Sequence, residues 1–173
     1  TMSSTGNAAD FGDMTAVGYN NGHVSNSTRL CFAGGASPRA NIIDYVTVAS
    51  TGDAADFGDL TVGRENAGGA MTSPTRGLWA CGHTQQTTID YITIASTGNA
   101  VDFGDAALAR SYHGATESST RGVWGGGGAP GANNQTSIEF ITLASTGNAI
   151  KFGDLTVGRD RLTAATSNSV RGI

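Results

Sequence analysis

The chain has 173 residues, 26 of them glycine, with 14% charged residues and a formal net charge of -4. That balance leaves no basic footprint for nucleic acid, and no apolar run approaches the roughly 18 residues that a membrane helix needs. Cys31 and Cys81 follow no framework spacing, so they are read as two buried thiols that say nothing of compartment.

In chain order, the first feature is a block reading S-T-G-N-A-A-D-F-G-D around Phe11. It returns around Phe57, Phe103 and Phe152, the first three 46 residues apart and the fourth 49 further on. A second block, T/V-R-L/G-x-W/F-x-G, recurs around Arg29, Arg76 and Arg121, and begins again at Arg171. Self-similarity at this period means one supersecondary unit copied in tandem. The copies are a partial one at 1–14, complete ones at 15–60, 61–106 and 107–155, and a partial one at 156–173. Thr1 to Thr5 align with Thr47 to Thr51, and Arg171 to Ile173 with Arg121 to Val123. Both ends therefore cut through a repeat, and the chain is expected to be a piece of a longer array.

Residues 61–106 show how one copy should fold. Glu65 to Ser73, rich in Gly and Ala, suits a short strand A in a crowded place. Arg76 to Ala80 predicts strand B. Ile89 to Ala95 carries β-branched and aromatic residues on both faces, which predicts a strand C covered on both sides. Gly98-Asn99 fits a two-residue hairpin loop into strand D, Val101 to Asp105. No segment keeps a 3.6-residue apolar period for three turns, so helix is excluded. The fold class is all-β, with a β-propeller of four-stranded antiparallel blades expected and a β-solenoid or other tandem β-array as the alternative.

A four-stranded repeat with glycines after strand B (Gly34-Gly35, Gly125 to Gly128) and an aromatic in strand C (Tyr45, Tyr91, Phe140) resembles the kelch-type propeller repeat. The strings I-D-Y-I-T-I-A-S-T-G-N-A-x-D-F-G-D and S-S-T-R-G-V-W-G-G-G resemble tandem repeats in structural proteins of tailed bacteriophages, especially marine cyanophages. The resemblance covers essentially the whole chain. It implies a virion structural or tail-associated protein located at the tail or capsid surface, with other virion subunits as partners. It implies nothing about a catalyst, and no cofactor is expected.

The recurring polar residues read as architecture. Asp13, Asp59, Asp105 and Asp154 close strand D, with Arg64, Arg110 and Arg159 five residues after the last three. Arg29, Arg76, Arg121 and Arg171 open strand B. Bidentate carboxylate–guanidinium bridges between these sets are expected. Phe11, Phe57, Phe103 and Phe152, with Phe32, Trp79 and Trp124, are expected to pack between blades. The D-F-G triplet lacks every other kinase element. Acidic residues spaced three apart, such as Asp53, Asp56 and Asp59, would spread over opposite faces of a strand rather than converge on calcium. His23, His83 and His113 sit in unlike contexts, so neither a metal site nor an enzyme is expected.

The differences between copies fall at one end of the unit. The A–B and C–D turns barely change, whereas the B–C and D–A connections vary in sequence, and the B–C connection varies in length. Binding is normally placed on loops held by a rigid scaffold. Candidate contacts in the D–A connections are Tyr19, Asn20, Tyr112, His113 and Arg161. Those in the B–C connections are Arg39, His83, Gln85, Gln86, Asn133, Asn134 and Gln135. Amides and aromatics suit a host-surface glycan or protein. Two functional readings stand: a recognition module of the virion, and a purely architectural repeat whose loops meet only other subunits. A free-standing lectin-like propeller is a third.

Overall fold

The computed structural model describes residues 5–36, 40–65, 69–83, 86–162, 165–168 and 170–172. Arg39 and Gln85, residues 66–68 of the expected strand A, and residues 1–4 and 173 of the end copies lie outside them. The described residues form strands and no helix. The first sheet is β1 (Gly22–Ser25), β2 (Arg29–Ala33), β3 (Ile42–Thr47) and β4 (Ala55–Asp59). The second is β5 (Gly69–Thr72), β6 (Arg76–Ala80), β7 (Thr88–Thr93) and β8 (Val101–Asp105). The third is β9 (Gly114–Glu117), β10 (Arg121–Gly125), β11 (Gln135–Thr142) and β12 (Ile150–Arg159). Each is antiparallel with its strands in chain order. Expected strands B and D of the middle copy coincide with β6 and β8, while β12 runs past residue 155, the expected end of its copy.

Side-chain packing joins the sheets face to face. Val24, Ile43 and Phe57 of sheet 1 share a core with Trp79, Ile92 and Ile94 of sheet 2. Met71, Leu78 and Phe103 of sheet 2 share one with Trp124, Ile141 and Leu143 of sheet 3. This explains why β7 is apolar on both sides: one face meets sheet 1 and the other sheet 3. The first strands, β1, β5 and β9, lie beside one another. Small residues let this happen. A side chain at Gly77 would collide with Val24, and one at Gly122 with Met71, so each glycine of R-G-x-W receives a knob from the preceding sheet.

The D-F-G-D block is a β-bulge. Asp44 pairs Asp56 and Ile43 pairs Gly58, leaving Phe57 as the extra residue. Phe103 takes the same place opposite β7 and Phe152 opposite β11. A bulge re-aims its side chain; Phe57 meets Tyr45 edge-on at 5.8 Å, and Phe103 meets Tyr91 likewise.

The S-T-G-N block is not the two-residue hairpin expected of Gly98-Asn99. A turn forms earlier, with Ser96 N–H donating to Thr93 C=O, and the block then runs along the preceding sheet. Gly98 N–H donates to Phe57 C=O (2.7 Å) and Ala100 N–H to Asp59 C=O (2.8 Å). Asn99 Oδ1 accepts from Asp59 N–H at 3.1 Å, as Asn148 Oδ1 does from Asp105 N–H at 3.0 Å. A Cβ on Gly58 would lie 2.5 Å from Gly98, and one on Gly104 2.6 Å from Gly147. The S-T-G-N and D-F-G-D halves of the first block therefore recur together because each copy's turn docks on its predecessor's bulge.

Candidate functional site

The recurring charges pair differently from expectation. Arg64 Nη2 meets Asp90 Oδ2 at 2.5 Å, both side chains fully buried, and Arg110 pairs with Glu139 in the same way. The acids come from strand C, not from the Asp59 and Asp105 that close strand D. Burial pushes the Asp90 carboxyl up, and the Arg64 guanidinium and the Thr61 hydroxyl pull it back. Arg64 Nη1 also donates to the carbonyls of Trp79, Cys81 and Thr88 at 3.0–3.1 Å. The signal for these acids was present in I-D-Y, I-D-Y and I-E-F, but it is one polar letter inside an apolar run.

The second arginine set forms no carboxylate bridge among the described residues. Arg29 lies over Tyr45, Arg76 over Tyr91 and Arg121 over Phe140, each 4.7–4.8 Å from the ring centre. Arg29 reaches Ile94 C=O and Arg76 reaches Leu143 C=O, both at 2.9 Å and both on the next sheet. Arg159 and Arg171 are exposed. Asp154 meets Lys151 at 2.9 Å on the surface. Asp13 N–H bonds Asp53 Oδ1, and Asp56 and Asp102 each accept from the glycine two residues on. Phe57, Phe103, Trp79 and Trp124 are buried between sheets, whereas Phe11 and Phe152 are exposed.

The thiols are inert as they stand. Burial raises Cys31 to about 11 and Cys81 to about 12, so both stay protonated at neutral pH.

The variable connections do gather at one end, where isolated bridges tie Tyr19 to Ala36, Glu65 to His83 and Ser111 to Gly128. Each bridge joins a D–A connection to the B–C connection that follows it. His83 Nδ1 stands 2.9 Å from Glu65 Oε1, a charge contact when the ring is protonated. The same ring meets Tyr112 edge-on at 6.2 Å, and Arg161 covers Tyr112 at 5.6 Å. Glu65, His83, Tyr112 and Arg161 thus form one row that crosses from sheet 2 to the connection after sheet 3.

Asn20, Tyr112 and Arg161 hold the same position in the copies at 15–60, 107–155 and 156–173, and each has positive φ (62°, 56° and 55°); the equivalent of the copy at 61–106, Asn66, lies outside the described residues. Such a conformation is unusual for a residue with a side chain, above all a bulky one, and costs of order 1–3 kcal/mol. Asn and Gly carry it easily; Tyr and Arg do not. Sequence spacing gave no sign of this shared backbone.

The other expected contacts fall outside the row. Tyr19 and Asn20 are exposed at the sheet 1 corner, and Asn133 and Asn134 are exposed before β11. Gln135 opens β11 and donates from Nε2 to Ala132 C=O. Gln86 is half-buried, with no partner for its amide nitrogen among the described residues. His113 is expected among the loop contacts, and the structure corrects this: it is completely buried. Its ring packs so close to Gly69 that a side chain there would collide with Nε2. Burial first, then the charges of Arg110 and Arg64, lower its pKa to about 3, so it stays neutral inside the protein. No family model matches the chain, and no curated protein matches it.

Proposed function

We propose that the chain is a non-enzymatic repeat module of a bacteriophage virion, displayed at the tail or capsid surface, whose variable end recognises a host-surface glycan or protein. The sheets are taken as blades of a β-propeller, with β1, β5 and β9 as inner strands. One observation carries the recognition reading: at the variable end, the same strained backbone position recurs at Asn20, Tyr112 and Arg161 with a different side chain each time. A repeat that holds its geometry while exchanging the side chain behaves as a display frame. The row from Glu65 to Arg161 supplies an aromatic flanked by charges, which suits the face and hydroxyls of a sugar.

The test is binding of the full chain to a glycan array and to intact host cells, with the variant Tyr112→Asn/Arg161→Asn, which tolerates positive φ. Saturable binding reduced at least tenfold by the variant is expected; binding unchanged by it, or none at all, ends the recognition reading.

The architectural reading has its own observation. Beside β12 lies a groove of about 820 Å³, lined by Trp124, Ile138, Phe152, Leu155 and Leu162, where sheets 1 and 2 each carry a following sheet. Contact with a further repeat or another virion subunit would fill it.

A further inference from the structure

The first copy breaks a rule that the other two keep. Strand C carries a buried acid in every sheet: Asp44, Asp90 and Glu139. Asp90 and Glu139 each face a buried arginine, Arg64 and Arg110. The residue in the corresponding place of the first copy is Gly18, four residues before β1 as Arg64 is five before β5. The surroundings are otherwise retained. Thr15 Oγ1 donates to Asp44 at 2.7–2.8 Å, as Thr61 Oγ1 does to Asp90 at 2.5 Å. Gly34 N–H bonds Ile42 C=O, as Cys81 N–H bonds Thr88 C=O. Among the described residues, no cation reaches Asp44.

A cavity of about 120 Å³ lies there. Gly18, Phe32, Gly34, Ile42 and Asp44 are among the residues that line it. Phe32, Gly34 and Ile42 are the counterparts of Trp79, Cys81 and Thr88, whose carbonyls hold the Arg64 guanidinium. The first sheet therefore keeps the carboxylate and the carbonyl-bearing residues of a guanidinium site, but not the arginine. Asp44 is 3% exposed, and a buried carboxylate that no cation among the described residues meets is costly, so filling the place is favourable.

We propose that this corner of sheet 1 binds a guanidinium group. The group arrives either on a small molecule or on an arginine side chain of another protein. A planar group with five N–H donors spans a carboxylate and several carbonyls at once, as Arg64 does here; a tetrahedral ammonium with three donors does not. The approach is beside Gly18, where a Cβ would meet nothing closer than Asn21 at 3.6 Å and where the neighbouring Val17 is fully exposed.

The experiment is amide-resolved NMR titration of the full chain with methylguanidinium, and with methylammonium at matched ionic strength. Parallel titrations use the tripeptides Gly-Arg-Gly and Gly-Lys-Gly. Saturable shifts at Thr15, Gly34 and Asp44 are expected, at least tenfold weaker with methylammonium and lost in Asp44→Asn. Gly18→Arg should place an arginine in the site, abolish the shifts and raise the Tm, which decides the matter even if Asp44→Asn fails to fold. Tighter binding of Gly-Arg-Gly than of methylguanidinium identifies a protein arginine as the source; the reverse order identifies a small molecule. The absence of saturable shifts overturns the proposal, as does a Gly18→Arg variant that lowers the Tm and leaves the shifts intact. Arg39→Ala tests an arginine that lies outside the described residues and next in sequence to Ala40 of the cavity lining: binding that appears only in this variant shows the site already filled from within, and the proposal fails.

Discussion

Phe103 and Phe152 hold the same place in their repeats, yet one is 3% exposed and the other 56%. Both are bulge residues and both sit edge-on to a strand C aromatic. What differs is the neighbour: sheet 3 covers Phe103, while Phe152 borders the open groove beside β12. Gly104 and Gly153 differ in the same sense, one pressed against Gly147 and the other with nothing within 4 Å. The seam between two sheets and the open face of the last one thus carry the same letters with different energetic weight. A residue repeated in every copy serves the joint between copies, and its worth depends on whether the joint is made.

The largest effects should come from the buried pair of the closed seam. Removing one partner of a buried ion pair costs about 3–5 kcal/mol, so Arg110→Ala and Glu139→Ala should each cause losses of that order in urea denaturation. Lys151→Ala, which breaks the exposed pair beside the open face, should cost under about 1 kcal/mol. Equal losses at the two sites would remove the distinction. Phe103→Ala should follow at about 3–5 kcal/mol, against less than half of that for Phe152→Ala, measured in the same way.

Gly104→Ala tests backbone approach rather than side-chain burial. The new Cβ would stand 2.6 Å from Gly147, and φ at Gly104 is +143°, so about 2 kcal/mol or more should be lost. Gly153→Ala meets open space and should leave the Tm within a degree or two.

Much of this was legible in the sequence, for a physical reason. The repeat period, the β-branched run of β7 and the small residues of β5 are local properties, and local properties set strands. Which strand faces which is not local. Arg64 and Asp59 stand five letters apart, whereas Arg64 and Asp90 meet only because β7 lies beneath the D–A connection. The same holds for Asn99, which reads as a turn residue and is spent on an amide of the preceding sheet. His113 sits in a connection that looks exposed, and only the closeness of Gly69 and Gly127 shows that its ring turns inward. At the candidate site, the variable end was legible from comparing copies, but the row from Glu65 to Arg161 and the positive φ were not.

His113 lends the closed seam a pH dependence. Its folded pKa is about 3, below the unfolded value of about 6.5. The unfolded chain therefore binds the proton first, and stability should be present above pH 6.5 and lost progressively as pH falls towards 3. Carboxylates titrate in the same window, so the useful quantity is the difference between wild type and His113→Leu, the residue that the next copy has at Leu162. The variant's urea midpoint should fall less steeply with pH over this range; parallel curves would place the histidine outside the linkage.

The last comparison separates two arginines that look alike. Arg76 covers Tyr91 and donates to Leu143 C=O of sheet 3, whereas Arg121 covers Phe140 with no carbonyl acceptor among the described residues. Gln at either position removes the guanidinium from its ring, worth about 0.5–1 kcal/mol at an exposed site. Only at position 76 does it also remove a charge-assisted bond across the seam, worth about 1.5–3 kcal/mol more. Arg76→Gln should therefore lower the urea midpoint distinctly more than Arg121→Gln. If the two variants lose equally, the ring contact is the whole of the arginine's contribution. The repeated T-R-G-x-W block then serves its own sheet and not the next.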